Sequence, residues 1–369
     1  MNVQMTYLDR EYALIKNGIN RSCQDILATG QFIGGPEVQR FEENLAEYLN
    51  TSHVITCANG TDALLCIYLS LGIGVGDEII MPAFGYISAY EMAVLIGAEP
   101  ILVDIDQFYH LDVTKIEKQI TNKTKAIVIQ QLFGQSGNMS ALTKLAKTYN
   151  IPIIEDAAQS IGNILILDDK NYHAGTLGKM GSFSFFPTKN LGCYGDGGAI
   201  TTANSELAKL LRSITRHGQS TKYNHDLIGI NSRLDSLQAA ILSEKLKYID
   251  EWNDRRQEIS KIYDQELKNL DKLSCPSRKN SQIHSFHQYT LNLECRDNLQ
   301  HYLAEQGIES IIYYPKPIQK QKIYPAKSHC RLKLSQEASN RVLSIPISPF
   351  LTELDIEYVI EKIKKWSLN

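Results

Sequence analysis

The sequence predicts an α/β protein built on a mostly parallel sheet, followed by a smaller α+β unit. Two observations carry this. From about residue 50, short β-rich runs alternate with longer stretches whose apolar residues recur every three to four positions, the pattern of strand–helix–strand crossovers. After an amphipathic helix expected over Lys247–Leu270 the pattern changes, which places a boundary near residue 250 and divides the chain into domains 1–250 and 251–369. The length of 369 residues fits two domains of roughly 100–200 residues each.

The strand candidates are His53–Cys57, Glu78–Met81, Pro100–Val103, Ala126–Gln130, Pro152–Ile154, Ser182–Phe185 and Ala199–Thr202. Between them, Ala63–Leu71, Tyr90–Ile96, Val113–Ile120 and Ala141–Tyr149 read as helices. The Pro/Lys/Gln-rich stretch Pro315–Pro325 reads as a surface loop.

Composition narrows the function. With 38 basic and 41 acidic side chains the net charge is −3, so the chain lacks the basic excess that neutralises nucleic-acid phosphates. Met1–Lys16 mixes Asp9, Arg10 and Glu11 into any apolar stretch, unlike a secretion signal, and no run reaches a membrane span of roughly 18–20 apolar residues. The seven cysteines (Cys23, Cys57, Cys66, Cys193, Cys275, Cys295, Cys330) form no C-x-x-C pair and fit a reducing cytoplasm better than a disulfide framework or zinc site. His284 and His287 lack a carboxylate or cysteine to complete a metal set and read as a solvated or core pair.

In open α/β sheets ligands collect beyond the carboxyl ends of the strands, and three segments there carry chemistry. Asn59-Gly60-Thr61-Asp62 links a strand to a helix, where free N–H groups can hold a phosphate monoester; an ordinary Thr or Asp N-cap is the alternative. At Glu155-Asp156-Ala157-Ala158-Gln159 a strand runs into two carboxylates. Asp156 can hold the protonated ring nitrogen of a pyridine cofactor or cap a helix, and Gln159, one turn on, can reach the ring hydroxyl if a helix starts here. In Ser182-Phe183-Ser184-Phe185-Phe186-Pro187-Thr188-Lys189-Asn190-Leu191-Gly192 a lysine follows an aromatic strand, between a proline and a glycine-rich return. That setting allows a deprotonated, Schiff-base-forming amine, although a lysine is more often a solvated surface charge.

Phosphate cup, carboxylate and lysine in this order resemble the fold-type I pyridoxal-phosphate aminotransferases of the DegT/DnrJ family, which act on nucleotide-linked keto-sugars. The likeness extends through Gly30-Gln31-Phe32-Ile33-Gly34-Gly35-Pro36-Glu37, Cys57-Ala58-Asn59-Gly60-Thr61-Asp62-Ala63-Leu64 and Gly229-Ile230-Asn231-Ser232-Arg233-Leu234-Asp235. It implies that Lys189 forms the Schiff base with pyridoxal 5'-phosphate, that Asp156 pairs with the ring nitrogen and that Gln159 contacts the ring oxygen. Gly60, Thr61 and Ser184 would bind the phosphate, and Tyr86 would stack on the ring or simply pack in the core. Asn231 would reach the phosphate of the neighbouring subunit, making a homodimer with shared active sites.

Arg233, His217, Tyr313 and Tyr314 are then the substrate-side candidates, with an ion pair to Asp235 or another local acid as the alternative for the arginine and a packing role as that for Tyr313. His225 lies in the same loop as His217, and the role of both stays open. Retention of Lys189 separates the chain from the subgroup that carries histidine there and dehydrates keto-sugars. Leu191-Gly192-Cys193-Tyr194-Gly195-Asp196-Gly197-Gly198 and Arg216-His217-Gly218-Gln219 look most like enzymes that aminate C3 of UDP-linked 2-acetamido-3-keto sugars, while Asn231-Ser232-Arg233-Leu234-Asp235 differs from perosamine-type 4-aminotransferases. L-Glutamate is the expected amino donor, and surface polysaccharide or lipopolysaccharide synthesis the expected context. The alternatives are a dTDP-3-keto-6-deoxyhexose or 4-keto sugar as acceptor, a dehydratase, or a non-catalytic cofactor-binding regulator. At Tyr313-Tyr314-Pro315 many relatives carry His-Tyr-Pro.

Overall fold

The computed structural model describes residues 1–324 and 332–368, so Pro325 and Cys330 lie outside the described residues. A central sheet is formed by β1 (His53–Cys57), β2 (Glu78–Pro82), β3 (Glu99–Val103), β4 (Thr124–Gln130), β5 (Ile153–Asp156), β8 (Met180–Ser184) and β9 (Gly198–Thr202), while β6 (Ile164–Leu167) and β7 (Lys170–His173) make a hairpin beside it. Its order is β1-β9-β8-β5-β4-β2-β3. Pairing is parallel from β3 through β2, β4 and β5 to β8, and β9 runs antiparallel to both of its neighbours. The mostly parallel sheet expected from the alternating pattern is therefore present.

The strands are apolar on both faces because helices cover both. On β4, Ala126 and Val128 enter one core with residues of α3 (Gly60–Ser70), α4 (Ser88–Leu95) and α7 (Ser205–Ile214); Ile127 and Ile129 enter another with α5 (Val113–Ile116) and α6 (Met139–Tyr149). Burying each such isoleucine or valine is worth about 1.5–3 kcal/mol, so the sheet is the rigid part on which strand-end residues are held.

Two helices precede the alternating pattern, α1 (Leu8–Thr29) and α2 (Pro36–Tyr48), and both pack on α8 (Ser236–Leu246). The amphipathic helix expected over Lys247–Leu270 is α9 (Ile249–Leu267). Beyond it, Leu273–Ser274, Tyr289–Leu293 and Val342–Ile345 form an antiparallel sheet covered by α10 (Arg296–Glu305), α11 (Lys333–Arg341) and α12 (Glu353–Ser367). The core of this C-terminal part includes Val3 and Tyr7. Val3, within the expected domain 1–250, also forms an isolated parallel bridge with Ile308. The stretch after Pro315 is also not wholly a surface loop: Ile318 is buried in the main core and its amide donates to the Ala83 carbonyl.

No helix among the described residues is long and apolar enough to cross a membrane.

Candidate active site

The ends of β4, β5 and β8 and the start of α3 surround a cavity of about 570 Å³. It brings together Gly60, Thr61, Tyr86, Asp156, Gln159, Ser184, Lys189, Tyr313 and Tyr314, residues separated by up to 254 positions in the chain. Asn231, Arg233 and His217 are not among its walls.

The cup at α3 is shaped by its cap. Asn59, not Thr61 or Asp62, is the N-cap, its side-chain oxygen accepting from the Asp62 amide at 2.8 Å. The Gly60 and Thr61 amides keep no partner among the described residues, as expected for the first turn of a helix, whose N–H groups favour an anion. Gly198 on β9 lets this turn approach, since a Cβ there would overlap the Asn59 carbonyl. The Ser184 hydroxyl oxygen accepts weakly from the Phe186 amide at 3.4 Å, leaving its O–H to donate.

β5 extends to Asp156, and no helix follows; Ala158 and Gln159 lie in a turn. Successive strand side chains face opposite ways, which separates the adjacent carboxylates. Glu155 is fully buried and accepts from the amides of Gly175, Leu177 and Gly178 and from Gln131, so it anchors the turn before β8. Asp156 faces the cavity and accepts from the Ala158 amide and from Gln130 Nε2, each at 3.2 Å. Burial pushes its carboxyl upward, while the Ala158 amide, Lys189 and Gln130 oppose that shift. The Gln159 amide is taken at both ends, accepting from the Phe133 amide at 2.8 Å and donating to the Tyr314 hydroxyl at 2.9 Å.

Lys189 follows β8 in a turn closed by its own amide on the Phe186 carbonyl at 2.8 Å. The return is fixed from behind by Lys245, buried, ion-paired with Glu11 and donating to the Gly192 carbonyl at 2.6 Å. Burial lowers the Lys189 pKa to about 8, against the pull of Asp156. The neutral fraction therefore rises through mildly alkaline pH, well before that of an ordinary lysine, and the neutral form is what a nucleophilic amine requires.

The structure adds two residues that sequence reasoning missed here. Gln130 and His287 both line the cavity. The Asn190 amide nitrogen donates to Asn253 and to the Ser285 carbonyl, so its oxygen accepts from His287 Nδ1 at 3.1 Å. Burial and the nearby Lys189 hold His287 neutral. The histidine pair is indeed buried, His284 stacking on Phe286 at 3.8 Å. Among the described residues no group of three His, Cys, Asp or Glu could hold a metal ion.

Asn231 and Arg233 are exposed and alternate with buried Ser232 and Leu234. Arg233 shares a separate pocket of about 280 Å³ with Arg212, Arg216 and His217, and makes no ion pair with Asp235 among the described residues.

Residues 14–364 match the family described as "DegT/DnrJ/EryC1/StrS aminotransferase family". The chain is 40% identical, over 97% of its length and 98% of the relative's, to a UDP-2-acetamido-2-deoxy-3-oxo-D-glucuronate aminotransferase of Pseudomonas aeruginosa. A DegT DnrJ EryC1 StrS aminotransferase from Brucella abortus superposes with a TM-score of 0.95 at 38% identity, covering both chains fully. NtdA from Bacillus subtilis, solved with bound cofactor PMP, gives 0.92 at 32% identity over 100% of this chain and 86% of that one. The free amides of the cup, the buried carboxylate and the amine of lowered pKa fit the same group, so pyridoxal 5'-phosphate is the cofactor. With lysine, carboxylate and cup in one cavity and the likeness running through nearly the whole sequence, the chain belongs to the DegT/DnrJ/EryC1/StrS aminotransferase family and is a pyridoxal-phosphate-dependent sugar aminotransferase.

Proposed function

We propose that the protein transfers the amino group of L-glutamate to C3 of a UDP-linked 2-acetamido-3-keto hexose, as a homodimer in the cytoplasm, for surface polysaccharide or lipopolysaccharide synthesis. One observation carries the chemistry: a single cavity holds Lys189, Asp156 and the free amides of Gly60 and Thr61. The glucuronate aminotransferase from Pseudomonas supports the class of acceptor.

Gly60, Thr61 and Ser184 would hold the phosphate, Tyr86 would cover the ring, and Asp156 would hold the charge of its nitrogen. When bound, the cofactor supplies a carbonyl carbon for the amine and a ring that withdraws electrons. Lys189 Nζ would hold that carbonyl carbon at rest; freed by the donor amine, Nζ would carry the proton from the donor Cα to the same carbon, and in the return half-reaction from that carbon to C3 of the sugar. Gln159, held by Phe133 and Tyr314, sets the edge of the ring site. Asn231 and Arg233 would enter from a second copy, since in one chain they lie outside the cavity.

The test incubates cofactor-loaded enzyme and glutamate with UDP- and dTDP-linked 3-keto and 4-keto sugars, with products identified by mass and NMR. The expected result is a 3-amino sugar formed with stoichiometric 2-oxoglutarate. A 4-amino product, or a deoxygenated sugar without oxoglutarate, overturns the proposal.

A further inference from the structure

Gln130 ends β4 and Asp156 ends β5, and the parallel register makes them direct partners, so their side chains share one face of the sheet. Gln130 is 2% exposed and lines the cavity. Its Nε2 donates twice, to the Tyr86 carbonyl at 2.8 Å and to Asp156 Oδ2 at 3.2 Å. Its Oε1 is buried without a partner among the described residues. The Tyr86 loop is drawn tightly against it: at Gly85, with φ of +153°, a Cβ would overlap this oxygen.

A buried amide with an unsatisfied oxygen costs free energy that an aliphatic side chain would avoid. What the amide provides in return is a donor pair between a backbone loop and a carboxylate. We infer that Gln130 is a positioning residue that locks the Tyr86 loop and the Asp156 carboxylate into one unit facing the cofactor ring. The inference rests on the reading of Asp156 as the partner of the ring nitrogen. Around that carboxylate, Lys189 comes from the turn after β8, Tyr68 from α3 and Tyr314 from the C-terminal part; Asp62, Asp196 and His287 line the same cavity.

The direction of the effect follows from these groups. Burial favours the protonated acid, and the Gln130 N–H favours the carboxylate. Without that donor Asp156 protonates at a higher pH, and a protonated acid cannot hold the ring cation. Cofactor affinity should then fail on the acid side at a higher pH than in wild type.

The experiment titrates the full-length apoenzyme with pyridoxal 5'-phosphate across pH, reading the dissociation constant from absorbance and the folded state from thermal unfolding. Gln130→Met keeps length and removes the donors; Gln130→Glu keeps shape and adds a second acid, and serves if the methionine variant does not fold. Losing a hydrogen bond to a charged group predicts binding weaker by about tenfold or more, with the acid limit shifted upward in both. In an Asp156→Asn background the effect of Gln130→Met should shrink to under about twofold, since coupled residues are not additive. Wild-type affinity and an unshifted acid limit in both variants overturn the inference, as does an equal loss in the Asp156→Asn background. If wild type itself binds no cofactor, the reading of the cavity fails as well.

Discussion

The cavity at the strand ends and the strip around Asn231 carry the same kinds of residue in opposite states. In the cavity, Asp156 and Lys189 are surrounded: one accepts two hydrogen bonds and the other has its pKa lowered by burial. On the strip, Asn231, Arg233 and His217 are exposed, beside Ile33 at 51%, Tyr223 at 81% and Ile228 at 88% exposure. A lone chain therefore encloses the groups proposed to act on the cofactor ring, while Asn231, Arg233 and His217, proposed to reach phosphate and substrate from a second copy, stay exposed beside apolar side chains. Such a patch is the usual mark of an interaction surface, and a second copy is the occupant our proposal assigns to it.

The largest expected effect tests the enclosed half. Lys189→Ala removes the amine proposed both to attach the cofactor and to carry the proton, so kcat should fall by about 10⁴-fold or more. The apo variant should nevertheless unfold no earlier than wild type at pH 7. Because the folded-state pKa of about 8 lies below that of an unfolded lysine, the unfolded chain binds more protons between the two values. Wild type therefore carries a cost below pH 8 that disappears as pH rises through that window. Thermal unfolding of both proteins against pH checks this: the difference should move in favour of wild type from pH 8 upward, and a constant difference would contradict the lowered pKa.

Asp156→Asn comes next. A neutral amide cannot keep the ring nitrogen protonated, and losing an opposite charge is worth one to three pKa units, or about tenfold to a thousandfold in kcat. It should also lower the Lys189 pKa further, because Asp156 is what favours the ammonium. Acylation of Lys189 in the apoenzyme, followed by mass spectrometry, should show a midpoint near 8 in wild type and below it in the variant; near-normal turnover would reduce Asp156 to a turn-capping residue.

How far each region can be read from sequence follows from the same contrast. Lys189 stands out because Pro187 and Gly192 punctuate its neighbourhood, and the cup because Asn59-Gly60 stands between a strand and a helix pattern. Gln130 looks like any strand terminus until the register of β4 and β5 sets it opposite Asp156. His287 is held beside Lys189 by Asn190, 97 positions away. Both matter through partners distant in sequence, for which no local pattern exists. The helix α1 was hidden differently: it has no side-chain N-cap, and its buried Ile15 and Ile19 find their partners in Ile241 and Trp252. Pro317 and Ile318 are masked by the lysines and glutamines around them, yet Ile318 enters the core.

The exposed strip gives the third prediction. Asn231→Ala should weaken cofactor binding by about tenfold to a hundredfold, the value of a hydrogen bond to a charged group. A sharper form mixes Lys189→Ala with Asn231→Ala chains. If Asn231 acts across the dimer, each hybrid has one site with both defects and one with neither. Random exchange makes half the dimers hybrids, so about a quarter of wild-type activity should return from two impaired parents. If Asn231 acts within its own chain, mixing restores nothing.

The smallest effect concerns Tyr313, which lines the cavity where the sequence departs from the His-Tyr-Pro of many relatives. Burial raises its pKa, so at neutral pH it offers a hydroxyl and no positive charge, whereas a histidine there can be protonated. A sugar carboxylate would find no cation at this position, and a neutral 2-acetamido-3-keto sugar would lose nothing. An exposed-to-intermediate charge contact is worth about 0.2–1 kcal/mol, so Tyr313→His should shift the ratio of kcat/KM for uronate over neutral sugar by about two- to fivefold toward the uronate, and more so at pH 6 than at pH 8. The likeness to a glucuronate aminotransferase makes this the point at which the proposed acceptor is most exposed to refutation. A wild-type enzyme that already prefers the uronate would place the carboxylate elsewhere, with Arg233 of the strip as the cation to mutate next, and an unchanged ratio in Tyr313→His would leave Tyr313 as a packing residue beside Tyr314.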